Sequence, residues 1–371
     1  MNKYVFEFAQ YSEQPLIEST FGILGDTGKR SKFGEQTGYF KRLLEKASKL
    51  GVDAFVFTDF SDNGVTAWKI KDGKWVAENR GLPKVFYNRS FRSRPYVKGT
   101  SSTKYLVERG CIPINSANFR KVALDKHLTY ESLKNEDLGE MGLPYTEKYR
   151  DSILVEFLHN HPSSILKPRF GSGGKGIMKI TKNGNSYDLH YKDNHIHCPE
   201  DQLIERVKSI RQKLKTTDRL YIIQECIQLP KYQDSVFDIR VIYQKGANGK
   251  PLRTGMAARV AAPNRITANL HQGGGKAPLS SILETLFNQN MEGAIAESIR
   301  NHAKKVFDLL ENKVGPIGEI GIDFLIDQGG KVHLIEVNSV PGRNLFKILP
   351  EIREAAIQRP VEYAKFLLDK K

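Results

Sequence analysis

Cysteine is scarce: Cys111, Cys198 and Cys226 are scattered, odd in number and without metal-ligand spacing in 371 residues. That argues against a disulfide framework and for a reducing cytoplasm. No apolar run approaches the roughly 20 residues that a membrane-crossing helix needs. The start, MNKYVFEFAQYSEQ, lacks the charged-then-apolar plan of a secretory signal. Two phosphate-binding signatures are missing as well. Gly25, Gly28 and Gly34 do not form GxGxxG, and the stretch at 171–176 is not a Walker loop, because Lys175 is followed by Gly176 rather than Ser or Thr. Acidic surplus is also lacking. With 57 Lys and Arg against 42 Asp and Glu, the net charge is +15, which favours anionic partners such as nucleotide phosphates or acidic peptides. The cations are spread along the chain without interleaved aromatics or a recognised module, so they describe a solvated basic surface better than a nucleic-acid footprint.

What is present fits an ordinary soluble protein of two or three domains, with 39% hydrophobic and 27% charged residues. Phe21–Gly25 is a short apolar strand, Glu35–Leu50 has helical apolar spacing closed by Gly51, and Val52–Thr58 is a buried strand. This order predicts a right-handed βαβ unit in a small parallel sheet. Val65–Trp75 predicts a hairpin around Lys71-Asp-Gly. Lys84–Arg89 predicts another strand, leading into a basic loop with Arg92, Arg94 and Lys98. A helix over Ser101–Arg109 and a last strand from Cys111 place the end of this domain near Arg120.

Farther on, Asp125–Leu138 predicts a helix whose first turn carries Lys126, a cation at the positive end of the dipole that an anion would relieve. Ser164–Ile180 predicts strand, Gly-rich loop, strand. Lys167 lies in the apolar first strand, where an amine needs a counter-charge. Gly171-Ser172-Gly173-Gly174-Lys175-Gly176 offers flexible backbone N–H donors for phosphate oxygens. The histidines at 190, 195 and 197 have no supporting acid or Cys spacing and suit a surface. A helix over Glu200–Leu214 precedes a buried strand with Gln224 and Glu225. Asp238 and Arg240 share a strand face, which by itself suits an ion pair. Arg259 occupies another strand, and Ile282–Leu310 has helical spacing.

The stretch Gly318–Arg343 predicts two strands joined at Asp327-Gln-Gly-Gly. It carries Asp323 and Glu336 in apolar runs, with Asn338 on the face of Glu336. Two carboxylates and an amide oxygen suit Mg²⁺. The same acids could instead meet nearby Lys or Arg, and on these residues alone both readings stand open.

Taken in order, these segments resemble the ATP-grasp superfamily over roughly Lys121 to Asn344, nearest the glutathione synthetase ATP-binding domain and the RimK-type glutamate ligases. The motifs are Asp125-Lys126 before a helix and Pro-x-Thr, Lys167 before a Gly-rich lid, Gln224-Glu225, Asp238-x-Arg240, Arg259 with Asn269 and Gly273-Gly274, and Asp323 with Glu336-x-Asn338 and Pro341-Gly342. Gly34-Glu-Gln-Thr-Gly-Tyr-Phe and Val85-Phe-Tyr-Asn-Arg look like the YheC/YheD family, named for endospore-coat association. The resemblance implies an α/β fold. A small parallel-sheet, Rossmann-like pre-grasp domain (1–120) would precede a two-subdomain α+β ATP-grasp domain (121–371), with a lid over 121–215 and a metal-binding half over 216–371.

It also implies roles. Lys126 and Lys167 would contact ATP phosphates beneath the loop of Gly171, Ser172, Gly173, Gly174 and Gly176. Gln224 and Glu225 would hold adenine and ribose, with Asn269 also on the nucleotide. Asp323, Glu336 and Asn338 would bind one or two Mg²⁺ (or Mn²⁺). Arg240, Arg259 and Lys167 would stabilise the transferring phosphoryl group. The implied activity is ligation of a carboxylate to an amine, on an amino acid or peptide, through an acyl phosphate. The alternative is a spore-coat-associated structural protein that binds ATP without robust turnover. The implied setting is cytoplasmic, in a sporulating cell, and oligomeric state is left open.

Overall fold

The computed structural model describes residues 16–90, 95–97, 100–171, 173–263, 265–266, 268 and 273–370. The chain divides into two compact units, Met1–Ile114 together with Ala364–Lys371, and Asn115–Tyr363.

In the first unit β1 (Ile17–Leu24), α1 (Thr37–Lys49) and β2 (Ala54–Phe57) form the expected strand–helix–strand, with β1 and β2 paired in parallel. The helix buries Phe40, Leu43 and Ala47, the stripe read from its apolar spacing. Next come β3 (Phe60–Ser61), β4 (Gly64–Lys71), β5 (Lys74–Arg80) and β6 (Leu82–Asn88). After them lie β7 (Pro95–Val97), β8 (Thr100–Ser101), α2 (Ser102–Glu108), capped by the Ser101 side chain, and β9 (Ile112–Pro113). The sheet order is β3-β4-β2-β1-β6-β9 with β5 on β4. The expectation of a parallel sheet therefore holds for β2-β1-β6-β9 but not for the whole. Asp72 and Gly73 both have positive φ (50° and 75°), the geometry of a tight hairpin turn, and this folds β4 and β5 into an antiparallel extension. Of the basic loop, Arg92, Arg94 and Lys98 lie outside the described residues.

The second unit opens with α3 (Ala117–Leu124) and α4 (Lys126–Leu133), capped by Ser116 and Asp125. Helix α4 ends sooner than its expected limit at Leu138, and Asp137 Oδ1 accepts from Gly139 N to make a turn instead. Then follow β10 (Thr146–Lys148), α5 (Leu154–Asn160), β11 (Ser163–Pro168) and β12 (Met178–Asn183). They lead to β13 (Ser186–Tyr191), β14 (Asn194–Pro199), α6 (Leu203–Lys213) and β15 (Tyr221–Glu225). These strands make an antiparallel sheet in the order β10-β15-β11-β12-β13-β14, and its core is shared with α5 and α6.

A second sheet, β18-β17-β16-β19-β20, comprises β16 (Phe237–Lys245), β17 (Pro251–Val260), β18 (Gly275–Ala277), β19 (Glu319–Ile326) and β20 (Val332–Asn338). Between β18 and β19 lie α7 (Leu279–Leu286) and α8 (Gln289–Val314). The single helix expected over Ile282–Leu310 is two, because Phe287 is extended and Asn288 caps the second by accepting from Met291 N. The closing helix α9 (Pro350–Asp369) ends in the residues that group with the first unit, where Leu368 O accepts from Lys84 Nζ.

Helix α8 presents Ile295, Ile299, Ala303, Val306, Phe307, Leu310 and Val314 to one face of the second sheet, meeting Ile239, Val241, Ile322 and Phe324. That stripe holds the sheet that carries the site. Phe307 is fully buried, so Phe307→Ala should lower unfolding free energy by about 3–5 kcal/mol through lost burial and a cavity. Urea unfolding checks it; a loss below about 1 kcal/mol would show that this core is not closely packed.

Candidate functional site

The sheet that is apolar toward α8 carries on its other face a charged region beside the small apolar cluster of Ile242, Ala257, Leu345 and Phe346. Along β16, Ile239 and Val241 enter the core, so Asp238 and Arg240 turn to the opposite side. Arg240 lies opposite Asp323 of β19, which lies opposite Glu336 of β20. Asp238 lies opposite Arg259 of β17, itself opposite Lys276 of β18. In β20 both Leu334 and Val337 belong to the core, a spacing that strict alternation forbids. A bulge resolves it: between the pairs Asp323–Glu336 and Phe324–Leu334 the strand carries one extra residue, Ile335. That extra residue puts Glu336 and Asn338 on the charged face.

Asp323 is the centre of that face. It is 2% exposed; Arg240 Nε donates to its Oδ1 in a short contact, and Arg240 Nη2 donates to Oδ2 at 2.7 Å. Arg259 Nη2 reaches the same Oδ2 at 2.8 Å, while Arg259 Nε donates to Asp238 Oδ1 at 2.5 Å. Against the desolvation that opposes charge, the Arg240 and Arg259 guanidiniums hold Asp323 well below the usual carboxylate range. Asp238 goes the other way. Burial pushes it up to about 7 and Asp323 repels it, although Arg259 pulls it down. The pairing differs from the sequence reading: Asp238 and Arg240 share a face, but each takes its counter-charge from another strand.

For Asp323, the structure holds the ion-pair alternative. Three of its four lone-pair positions accept from guanidiniums, which leaves one on Oδ1. Glu336 is freer, partly exposed and 3.6 Å from Lys126 Nζ. Among the described residues no three His, Cys, Asp or Glu gather around a common point, so the donor set here needs the Asn338 amide oxygen. One lone pair of Asp323, Glu336 and Asn338 make an all-oxygen set, the chemistry that fits Mg²⁺ when phosphate and water complete its shell.

Two lysines approach this face. Lys167 of β11 is 5% exposed and donates to Gln224 Oε1 at 2.8 Å, and Gln224 Nε2 donates to Thr146 Oγ1 at 2.8 Å. Both ends of the Gln224 amide are thereby occupied. The Gln224 side chain orients Lys167. Burial pushes the Lys167 amine down to about 8; Glu336 and Asp323 pull it up and Lys126 pushes it down further. Lys126 Nζ donates to Gly171 O at 2.7 Å and faces Glu336, which eases its place at the start of α4. Asp125, beside it, caps α4 and is gripped by Arg169 through Nε at 2.7 Å and Nη2 at 2.5 Å.

In the Gly-rich loop, Gly171, Gly173, Gly174 and Gly176 all have positive φ, a run that other residues resist. Tyr221 Oη pins its far end by donating to Gly176 O at 2.9 Å, and a Cβ at Gly176 would stand 2.8 Å from the Tyr221 hydroxyl. Glu225 Oε2 accepts from Tyr145 N at 3.3 Å. Ser172 and Asn269 lie outside the described residues. Arg169, Tyr221 and Asn115 escape the sequence reading, in which Thr146 figures only as the end of Pro-x-Thr, with no role. Asn115 accepts from Gly318 N and Glu319 N and donates to Glu319 O and Ser339 O, tying the start of β19 to the segment after β20. No local pattern marks these residues, because their partners are as many as 224 positions away.

The sequence profile described as YheC/D like ATP-grasp matches residues 115–367, well over half of the chain. The chain belongs to the YheC/D-like ATP-grasp family. The endospore coat-associated protein YheD of Bacillus subtilis is 25% identical over 353 residues, covering 91% of this chain and 76% of YheD. YheC of the same organism is 22% identical over 343 residues, covering 90% of this chain and 93% of YheC. Among solved structures, D-alanyl-alanine synthetase A from Vibrio cholerae aligns with TM-score 0.56 at 14% identity, over 94% of this chain and 97% of its own. The fold of this ATP-grasp chain is therefore that of ATP-dependent ligases. No helix among its described residues is long and apolar enough to cross a membrane.

Two outcomes follow from the geometry. Asp323→Asn leaves Arg240 and Arg259 short of charge in a buried site, so it should cost about 3–5 kcal/mol in urea unfolding; a near-neutral result would show the arginines re-paired. Lys167 has a folded-state pKa below its ordinary value, so its charged form costs stability at neutral pH. That cost is relieved as pH rises from about 8 toward the ordinary 10.5. The stability advantage of Lys167→Met at neutral pH should thus narrow above about 8, and a gap independent of pH would contradict the lowered pKa.

Proposed function

We propose that this YheC/D-like protein is an ATP-dependent ligase that joins a carboxylate to an amine on an amino acid or peptide. The observation that carries the reading is the convergence of Lys167 and Lys126 on Glu336, beside Asp323, where two amines meet an all-oxygen donor set. The name of the D-alanyl-alanine synthetase, a solved neighbour of the same fold, supports an amino-acid substrate class.

In this reading Lys126 and Lys167 bind phosphate oxygens, and ATP displaces the Lys126–Gly171 contact so that the glycine loop turns its N–H groups to the nucleotide. Glu336, Asn338 and the remaining lone pair of Asp323 would hold Mg²⁺, which would supply screening of the phosphates' negative charge. Arg240 and Arg259, already oriented by Asp323 and Asp238, are fixed positive charges for the transferring phosphoryl group and need no reorganisation during the reaction. A substrate carboxylate oxygen attacks the γ-phosphorus and ADP leaves, giving an acyl phosphate. The amine nitrogen then attacks the acyl carbon, inorganic phosphate leaves and the nitrogen loses a proton. Closure of the loop over residues 171–176 keeps water from the acyl phosphate. Glu225 on ribose, and a domain division into a pre-grasp part followed by lid and metal-binding halves, belong to the same reading.

A second reading has an observation of its own: both relatives are named for endospore-coat association. On that reading the chain binds ATP as a coat component and turns it over little.

One assay separates them. ADP release with Mg²⁺ and a pool of amino acids and peptides should depend on substrate and disappear in Glu336→Gln, while urea unfolding changes by less than about 1 kcal/mol, because Glu336 is partly exposed and its nearest cation is 3.6 Å away. ATP binding without turnover in any pool favours the coat reading; a Glu336→Gln protein that unfolds would make the carboxylate structural.

A further inference from the structure

Apart from the face of Asp323, a cleft of about 1050 Å³ opens beside β10, walled by α4, residues 145–151 and residues 217–221. Its cations are unusual in their pairing. Lys148, Arg150, Arg211 and Arg219 line it, and among the described residues none of the four has a carboxylate partner. Arg211 Nη2 donates only to the carbonyls of Thr217 and Arg219, and its buried Nε–H meets no acceptor. His127 Nδ1, on α4, is also buried without a partner. Buried polar atoms are rarely left so, and these two belong to residues that line one cleft, where the Arg211 guanidinium also lies over the Tyr221 ring. Three of the acids on the same walls are engaged: Glu131 with Lys134, Glu147 with Tyr145 Oη, Asp151 with Tyr149 Oη. The fourth acid on the lining, Asp218, is next to Arg219 in the chain.

Apolar surface lies beside the charge. Tyr145 is 43% and Leu220 60% exposed, large side chains open to solvent on the cleft walls. Backbone is on offer too. Strand β10 is the outer strand of its sheet. Glu225 N donates to Tyr145 O and Tyr149 N to Tyr221 O, so in this antiparallel pair Lys148 turns its own N–H and C=O away from β15.

We propose that this cleft is a docking site for an acidic peptide segment. Its carboxylates would meet Lys148, Arg150, Arg211 and Arg219, its apolar side chains would rest on Tyr145 and Leu220, and its backbone would reach the open edge at Lys148. The acids on the walls argue against nucleic acid, whose phosphates bring a charge at every step, whereas a peptide brings charges at intervals and N–H donors between them. The site is additional to the proposed ATP chemistry and does not rest on it.

The test is fluorescence anisotropy on the full chain, with a labelled peptide of alternating Glu and Tyr and a Gln-for-Glu version as control. The variant is Arg150→Glu with Arg219→Glu, both exposed, so the fold should stand; Arg150→Glu alone is the milder second variant. A control pair, Lys71→Glu with Lys74→Glu, reverses the same charge on the first unit. The parent should bind the Glu peptide and not the Gln version, the cleft variant should bind roughly tenfold or more weakly, and the control pair should match the parent. ATP binding should be unchanged in both. Equal loss in the two pairs would reduce the effect to attraction by net charge and overturn the site. So would absence of binding, loss of ATP binding in the cleft variant, or tighter cleft-dependent binding of single-stranded DNA.

Discussion

Asp323 accepts hydrogen bonds from two guanidiniums inside a sheet, and the charged face of the second unit is arranged around that contact. Isolated, any of these charges would be costly to bury; with Asp238 in its ionised form the four sum to zero, and they supply one another's partners. The arrangement demands register. Arg240 must face Asp323 across one strand pair while Asp238 faces Arg259 across the other. The same register sends Ile239, Val241, Ile322 and Phe324 to α8. A slip by one residue would bury arginine in the apolar layer and expose the core, so the two faces specify the same alignment independently.

From that base the lysines take their character. Lys167 reaches the face through a buried hydrogen-bonded line, Thr146 to Gln224 to Lys167, which sets the direction of the amine. Its proton is held loosely because burial opposes the charge more strongly than the two acids favour it. Lys126 is held by a glycine carbonyl and a half-exposed carboxylate, contacts that an anion can exchange at small cost. One lysine is thus preset and the other exchangeable.

Much of this was legible in the residues. Apolar periodicity located α1, α6 and the strand–loop–strand around Lys167, and turn chemistry located the hairpin at Asp327. The charged residues to watch were visible because they interrupt apolar runs, as Asp323 and Lys167 do. What could not be read was which charge meets which. Asp238 and Arg240 look like partners in sequence, yet strands from 21 to 83 positions away supply their counter-ions. Gln224 shows the same limit, since its part is set by Thr146, 78 residues earlier. Helix ends were missed where a side chain, Asp137 or Asn288, closes or opens a turn that periodicity runs through.

The extra residue at Ile335 has a consequence for how this segment can change. Upstream of it β20 is in phase with the core, and downstream it is in phase again only because one position was skipped. The strand is two half-strands of opposite parity spliced at a single point. An added or lost residue in the turn at 327–331 leaves both halves as they are. The same change within 334–337 exchanges the inward and outward sets, so the tolerance of this hairpin to insertions should drop from permissive to nil within a few positions.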